Sequence, residues 1–201
     1  MKRKHFFLIA LIIGTFIYGT YLLAQLRQGI TELHVVPDKY THSTQGADLT
    51  VLDFNKHGCD VCRNLHPVLK EAMKRDGRIK YIPRTVTSGS EWEKLRVTAV
   101  YAAAEQGKFI EMYNAIYDQW PIDSNEKLFS VAQSIGLDTE RLERDMSNSD
   151  IIAQANHNNA AFEAWGFSRT PTLFIGGRLY RPDSEVPTVE EILAEFATAR
   201  Q

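Results

Sequence analysis

Cys59-Asp60-Val61-Cys62 decides the reading of this chain, because Cys59 and Cys62 are the only cysteines in its 201 residues. Two thiols at this spacing can close a short disulfide, bind a metal or stay inert. With no other cysteine present, the pair is not one bridge of a disulfide framework. It also supplies only half of the ligands that a closed zinc site needs. A redox-active pair is the reading favoured by the surrounding sequence.

Upstream, Val51-Leu52-Asp53-Phe54 is a short apolar run broken by one acid, which predicts a buried strand. Downstream, Val61, Leu65, Val68, Leu69, Ala72 and Met73 share one face of a helix, with Pro67 inside it. The cysteines therefore fall where a strand hands over to a helix, Cys59 near the helix N-terminus. Unpaired N–H groups and the positive end of the helix dipole favour a thiolate there, and the thiolate is the nucleophile. Cys62, one turn later, can resolve a mixed disulfide. Asp53 reads as a buried carboxyl with a raised pKa, suited to proton transfer with the Cys62 thiol. A surface carboxylate at a strand end is the alternative. His57 is either a solvated loop residue or, if protonated, a cation that favours the Cys59 thiolate while Asp60 opposes it. His66 reads as structural.

A second strand is expected at Ile79 to Ile82. From Ser88 to Gly166 the chain is strongly helical. Helices are expected over Glu91–Gly107, Phe109–Asp118, Glu126–Ile135 with Gly136 as C-cap, an Asp138-capped run through Met146, and Ile151–Trp165 closed by Gly166. Tyr113, Tyr117 and Trp120 fall at helical spacing and read as core of this segment, with a substrate groove as the alternative. Thr170-Pro171-Thr172 leads into a strand, Leu173-Phe174-Ile175, and Gly176-Gly177 forms a hairpin turn into Arg178-Leu179-Tyr180. Thr188-Val189-Glu190-Glu191 is a capping box. It opens a helix expected to bury Val189, Ile192, Leu193 and Phe196.

Taken together, these residues resemble the thioredoxin superfamily. The shared elements are an acid six residues before the first cysteine, the C-x-x-C pair, a proline five residues after the second, and Thr170-Pro171 at a strand entry. The long helical insert, its end at Gly166-Phe167-Ser168-Arg169-Thr170-Pro171-Thr172, the run Tyr101 to Phe109 and Ile135-Gly136-Leu137-Asp138 resemble the DsbA branch. The resemblance covers roughly residues 48–200. It implies an α/β thioredoxin fold with a helical insertion at about 88–166 and a redox-active Cys59–Cys62 disulfide. It further implies a cis Thr170–Pro171 bond, with Arg169, Thr170 and Pro171 beside the disulfide where substrate binds. The disulfide is then the redox group, so no organic cofactor and no metal are expected. Two departures stand out: Gly58 replaces a frequent aromatic residue, and Asp60-Val61 replaces the Pro-His of the DsbA oxidant. The Asp60 charge is expected to raise the Cys59 pKa and make the disulfide less oxidising.

Lys2, Arg3 and Lys4 precede Phe6 to Ala24, 19 residues without a charge. At ~1.5 Å per residue such a helix approaches the ~30 Å of bilayer hydrocarbon. The segment reads as an uncleaved signal anchor, with a cleaved signal peptide as the alternative. The basic cluster places residues 1–5 in the cytoplasm and everything after the span outside, in an oxidising compartment. The expectation is a single-pass inner-membrane protein with a periplasmic domain, or a soluble periplasmic protein if the segment is cleaved. Residues 25–47, polar and irregular apart from Leu33-His34-Val35-Val36, read as a linker that could supply one edge strand, and 48–201 as the folded domain. The formal net charge of −2 gives no sign of nucleic-acid binding. The expected activity is thiol:disulfide exchange on exported cysteine-containing proteins, with a DsbB-like or DsbD-like membrane redox partner. An isomerase or reductase on the same fold is one rival. A copper-handling module using Cys59, Cys62 and His57 is another, although the chain lacks a Met-rich or His-rich tract.

Overall fold

A computed structural model describes residues 13–25, 35–182 and 185–201. The chain forms two compact units, Met1–Val35 and Val36–Gln201. In the first, residues 13–25 form helix α1. Its large apolar side chains, among them Ile13, Phe16, Ile17, Tyr18, Leu22 and Leu23, are exposed and point in every direction around the axis. The remainder of the expected 6–24 span lies outside the described residues. Among the described residues, no helix is long and apolar enough to cross a membrane.

The second unit is built on a five-stranded sheet of order β1-β3-β2-β4-β5. The strands are β1 (His42–Ser43), β2 (Leu49–Asn55), β3 (Ile79–Thr85), β4 (Thr172–Ile175) and β5 (Arg178–Tyr180). β2 and β3 are parallel, and the other pairings are antiparallel. β2 is buried along almost its whole length, as expected for a central strand covered on both faces. Its side chains alternate between faces. Val51, Asp53 and Asn55 share one face with their β3 partners Tyr81 and Thr85, while Leu52 and Phe54 share the other with Ile82 and Arg84.

The helices are α2 (Asp60–Asp76), α3 (Glu91–Ala103), α4 (Phe109–Asp118), α5 (Asn125–Ser134), α6 (Thr139–Met146), α7 (Ser149–Ala164) and α8 (Val189–Ala199). Local chemistry sets their ends. Ser124, Asp138 and Thr188 accept hydrogen bonds from the first-turn N–H groups of α5, α6 and α8, and Thr188 with Glu191 completes the capping box. α3 runs into a 3₁₀ turn, Ala104–Gln106, and stops at Gly107 with a positive φ of 67°. In α8, Ile192 and Phe196 are fully buried, whereas Val189 and Leu193 pack at its margin. The β4–β5 hairpin turns on Gly176 and Gly177, both with positive φ, as a two-residue type I′ turn requires.

The segment 25–47 supplies an edge strand, as expected, at His42–Ser43; Val35 and Val36 are not in a strand, and Leu33 and His34 lie outside the described residues. One difference from the sequence reading concerns where the domain begins. Residues 38–40 form a 3₁₀ turn whose Tyr40 is buried against Tyr101 and Phe109. Burial of that ring draws part of the expected linker into the fold, so the packed unit begins at Val36 instead of residue 48.

Candidate active site

The C-terminal end of β2 delivers the chain into the turn Lys56–Gly58, and Cys59 follows as the N-cap of α2. The Cys59 sulfur accepts a hydrogen bond from the Cys62 backbone N–H at 3.2 Å, and the Cys62 thiol donates to the same sulfur. These bonds, the thiol donor foremost, hold Cys59 down at about 6 against an ordinary 9.0, and the Lys56 charge helps while partial burial opposes. Cys62 is buried. Its thiol is pushed far up, first by its bond to the Cys59 sulfur and then by burial. One sulfur is thus an accessible nucleophile and the other a protonated thiol one turn below it.

Asp53 is 4 % exposed. Burial lifts its carboxyl from 3.8 to about 6, although hydrogen bonds from Tyr81 and Asn55 pull it back. Tyr81 Oη donates to Asp53 Oδ2 at 2.8 Å and Asn55 Nδ2 donates to the same oxygen at 3.2 Å. Oδ1 is buried with no hydrogen-bond partner. The Asp53 charge raises the Cys62 thiol, and the Cys59 charge in turn raises Asp53.

His57 points inward. It is 2 % exposed, lies against the Tyr117 and Tyr113 rings, and has neither ring nitrogen hydrogen-bonded. Burial drives its pKa down to about 3, so at neutral pH it carries no charge with which to favour the Cys59 thiolate. The cation that acts on Cys59 is Lys56, the half-buried residue before His57. His66 stacks on Tyr117 with ring centroids 4.3 Å apart, and burial lowers it to about 4. It is a packing residue.

Asp60 is exposed and paired with Arg63 one turn on, and the Arg63 guanidinium also lies over the Trp120 ring at 5.0 Å. The negative charge expected to oppose the thiolate is therefore offset by its neighbour. Two small effects follow. Lys56→Met should raise the Cys59 pKa by about 0.3–0.5 unit at low salt, and the effect should fade at high salt. Asp60→Asn should move it less. An ultraviolet thiolate titration reads both, and a larger response to Asp60→Asn than to Lys56→Met would contradict the assignment.

The Thr170–Pro171 peptide bond is cis. The Thr170 carbonyl lies 3.5 Å from Cys59 Sγ, which places this segment beside the thiols. Thr172 Oγ1 donates to the Arg169 carbonyl at 2.8 Å and fixes the turn before β4. Arg169 and Thr170 line an open groove of about 530 Å³ together with Lys56, Cys59, Phe162 and Phe167. A second cavity of about 380 Å³, between α2, α4 and the β1–β3 edge, contains neither cysteine. Among the described residues, no group of three or more His, Cys, Asp or Glu side chains gathers to hold a metal.

The site thus joins a C-x-x-C at the start of the helix after a central strand to a cis-proline beside it, and the chain matches the thioredoxin family model over residues 42–195. The chain belongs to the thioredoxin family. Solved structures share its fold. A thioredoxin-like oxidoreductase from Silicibacter pomeroyi superposes with a TM-score of 0.71 at 21% identity, covering 83% of this chain and 98% of that one. The thiol-disulfide exchange protein alpha-DsbA2 from Wolbachia pipientis gives 0.70 at 18% identity, covering 87% and 97%. Among curated sequences, a Na(+)/H(+) antiporter NhaA of Salinispora tropica is 24% identical over 179 residues, 86% of this chain. The chain spans 28% of that relative's length.

Tyr113 and Tyr117 lie in the buried core, as their spacing led us to expect, and Trp120 packs against it. The two tyrosine hydroxyls add a role that the spacing did not mark: from α4 they reach the polar groups around Asp53. Asn55, Tyr81 and Lys56 were equally unmarked. Asn55 could have been found as the residue two after Asp53 on the same strand face. Tyr81 had no local signal.

Proposed function

We propose that this protein is a thiol:disulfide oxidoreductase of exported proteins, working through Cys59 and Cys62. The observation that carries the reading is the asymmetry of the pair: a half-exposed low-pKa sulfur above a buried high-pKa thiol, beside a groove. In the oxidising direction, a substrate thiolate attacks Cys59 of the disulfide and Cys62 leaves. A second substrate thiolate then displaces Cys59, so the substrate gains a disulfide and the pair becomes a dithiol. A membrane redox partner of DsbB-like or DsbD-like type would then take the two electrons. In the reducing direction, the Cys59 thiolate attacks a substrate disulfide and Cys62 resolves the intermediate. The disulfide itself serves as the redox group, without an organic cofactor. A stabilised Cys59 thiolate favours the dithiol form and so favours the oxidising direction, and the Asp60–Arg63 pairing removes the main local argument against it.

The anchor is part of the proposal. A helix whose apolar side chains face all directions has no polar face to turn to water, and α1 is of this kind. It supports a membrane-held protein, and the basic cluster Lys2-Arg3-Lys4 before it supports a catalytic domain on the outer side. One experiment tests both statements. Full-length Cys62→Ser, expressed in a bacterial host, should accumulate substrate mixed disulfides on Cys59, recovered in the membrane fraction. Absence of Cys59-linked adducts would refute the exchange activity. Adducts carried by a soluble chain beginning near Gln25 would refute the anchor alone.

A further inference from the structure

Proton traffic is the unsolved part of a thiol exchange at a buried cysteine. Cys62 must lose a proton to attack Cys59, yet burial keeps it protonated. Asp53 is the nearest acceptor in character, and what surrounds it is unusual. Its two oxygens are treated differently: Oδ2 receives both Tyr81 Oη and Asn55 Nδ2, and Oδ1 receives nothing. Tyr81 has one hydroxyl hydrogen, and it is committed to Asp53. In the Tyr81–Tyr113 contact of 2.9 Å, Tyr113 must therefore be the donor. Asn55 is held in turn, its Oδ1 accepting from Thr85 Oγ1 at 2.9 Å and from Tyr117 Oη at 3.0 Å. All of these residues are buried.

We propose that Tyr81, backed by Tyr113, is a positioning residue for the proton step: it clamps Asp53 Oδ2 so that Oδ1 is the atom that takes the Cys62 proton. The proposal rests on the exchange reading above. In resolution, the Cys62 thiol gives its proton to Asp53 Oδ1, the Cys62–Cys59 bond forms, and the bond from Cys59 to the substrate sulfur breaks. The substrate leaves as a thiolate, and the pair has lost two electrons to it. In the reverse direction, Asp53 returns the proton to Cys62 as it leaves.

The network serves two opposed needs. A good base for a thiol must be more basic than an ordinary carboxylate, and burial supplies that. It must also be ionised at neutral pH, and the hydrogen bonds from Tyr81 and Asn55 keep it so. The groups that bear on Asp53 are the two cysteines of α2, Tyr81 of β3, and Tyr113 and Tyr117 of α4. His57 and His66 stand close by and are neutral at the pH of interest. Lys56 acts on Cys59 and Arg96 on His57. The tyrosines are themselves held above their ordinary range by burial, so they donate without ionising.

The test uses the full-length reduced protein and oxidised glutathione. Rapid acid quench and mass spectrometry follow first the Cys59–glutathione mixed disulfide and then its resolution by Cys62, across the pH range. In Tyr81→Phe the carboxylate loses one charge-assisted hydrogen bond, so the pH midpoint of resolution should move up by about one unit. At pH 7 resolution should slow about 2-fold, and above the shifted midpoint the rate should recover. Tyr113→Phe should shift the midpoint the same way but less, because Tyr113 lowers Asp53 less than Tyr81 does and also polarises the Tyr81 hydroxyl. An unchanged midpoint in both variants, or slowing by one factor at every pH, overturns the proposal. Should Tyr81→Phe not fold, the Tyr113→Phe midpoint decides alone. Failure of the wild type to form any Cys59–glutathione adduct would instead overturn the exchange reading.

Discussion

Iodoacetamide at pH 7 should alkylate Cys59 on the order of 100-fold faster than Cys62 in the reduced protein. The estimate combines ionisation with intrinsic nucleophilicity. With a pKa of about 6, Cys59 is ~90% thiolate at pH 7. Lower basicity costs reactivity, by a Brønsted slope of ~0.4–0.5. Against a thiol at its ordinary value, these opposing effects leave Cys59 only a few-fold ahead. Cys62 is not such a thiol, because its bond to the Cys59 sulfur and its burial push it far upward. The ionised fraction then falls faster than nucleophilicity rises, so the ratio grows well beyond a few-fold before access is counted. The 3 % exposure of Cys62 widens it. Labelling of Cys59 should fall away below a midpoint near pH 6. Peptide mapping after timed quenching checks both points. Equal labelling of the two cysteines would reverse the assignment of nucleophile and resolver.

What the sequence disclosed and what it hid divide along a physical line. Features written in neighbouring residues were legible. In the insert, α6 follows its Asp138 cap and ends at Met146, and α4 runs from Phe109 to Asp118, both as expected. The C-x-x-C at a strand-to-helix junction and the Thr-Pro strand entry are equally local. Contacts made across the sheet were not legible. Tyr81 meets Asp53 only because β2 and β3 align in a particular register, and Tyr113 joins them from a helix 60 residues beyond Asp53 in the sequence. The choice between Lys56 and His57 turned on which way one loop faces. The backbone leaves β2 at Asn55 and turns the His57 ring in among Tyr113 and Tyr117. The edge strand at His42–Ser43 is two residues long, too short for any alternation to reveal. Arg84 on β3, buried over the Phe54 ring and bonded to Asn158, likewise has no local sign.

Asp53→Asn should stabilise the oxidised protein at pH 8 relative to its effect at pH 4, by about 3 kcal/mol. The sign follows from the direction of the shift. Asp53 titrates at about 6 in the fold against 3.8 in an unfolded chain. Below ~4 both states hold the proton, and the group contributes nothing. As pH rises from ~4 to ~6, the unfolded chain releases its proton and the folded one keeps it, so stability falls. Above ~6 the full cost of the buried carboxylate is present, about 2 pKa units or ~3 kcal/mol. The variant has no such cost, but it leaves a buried amide N–H group without a partner, worth ~1–3 kcal/mol at every pH. The net gain at pH 8 is therefore smaller than the difference between the two pH values, and the difference is the quantity to read. Working with the disulfide removes the Cys59 titration. His57 and His66, whose pKa values are lowered in the fold, destabilise both proteins equally as pH falls below ~6.5, and they cancel in the comparison. Urea unfolding of wild type and Asp53→Asn at pH 4 and pH 8 gives the four free energies required. The same substitution removes the acceptor for the Cys62 proton and should slow resolution by ~100-fold at pH 7. A protein made more stable and less active by one isosteric change is the outcome expected if the buried charge is retained for the proton it carries. Equal stability changes at pH 4 and pH 8 would show that Asp53 is not a strained carboxylate, and the proton step would need another acceptor.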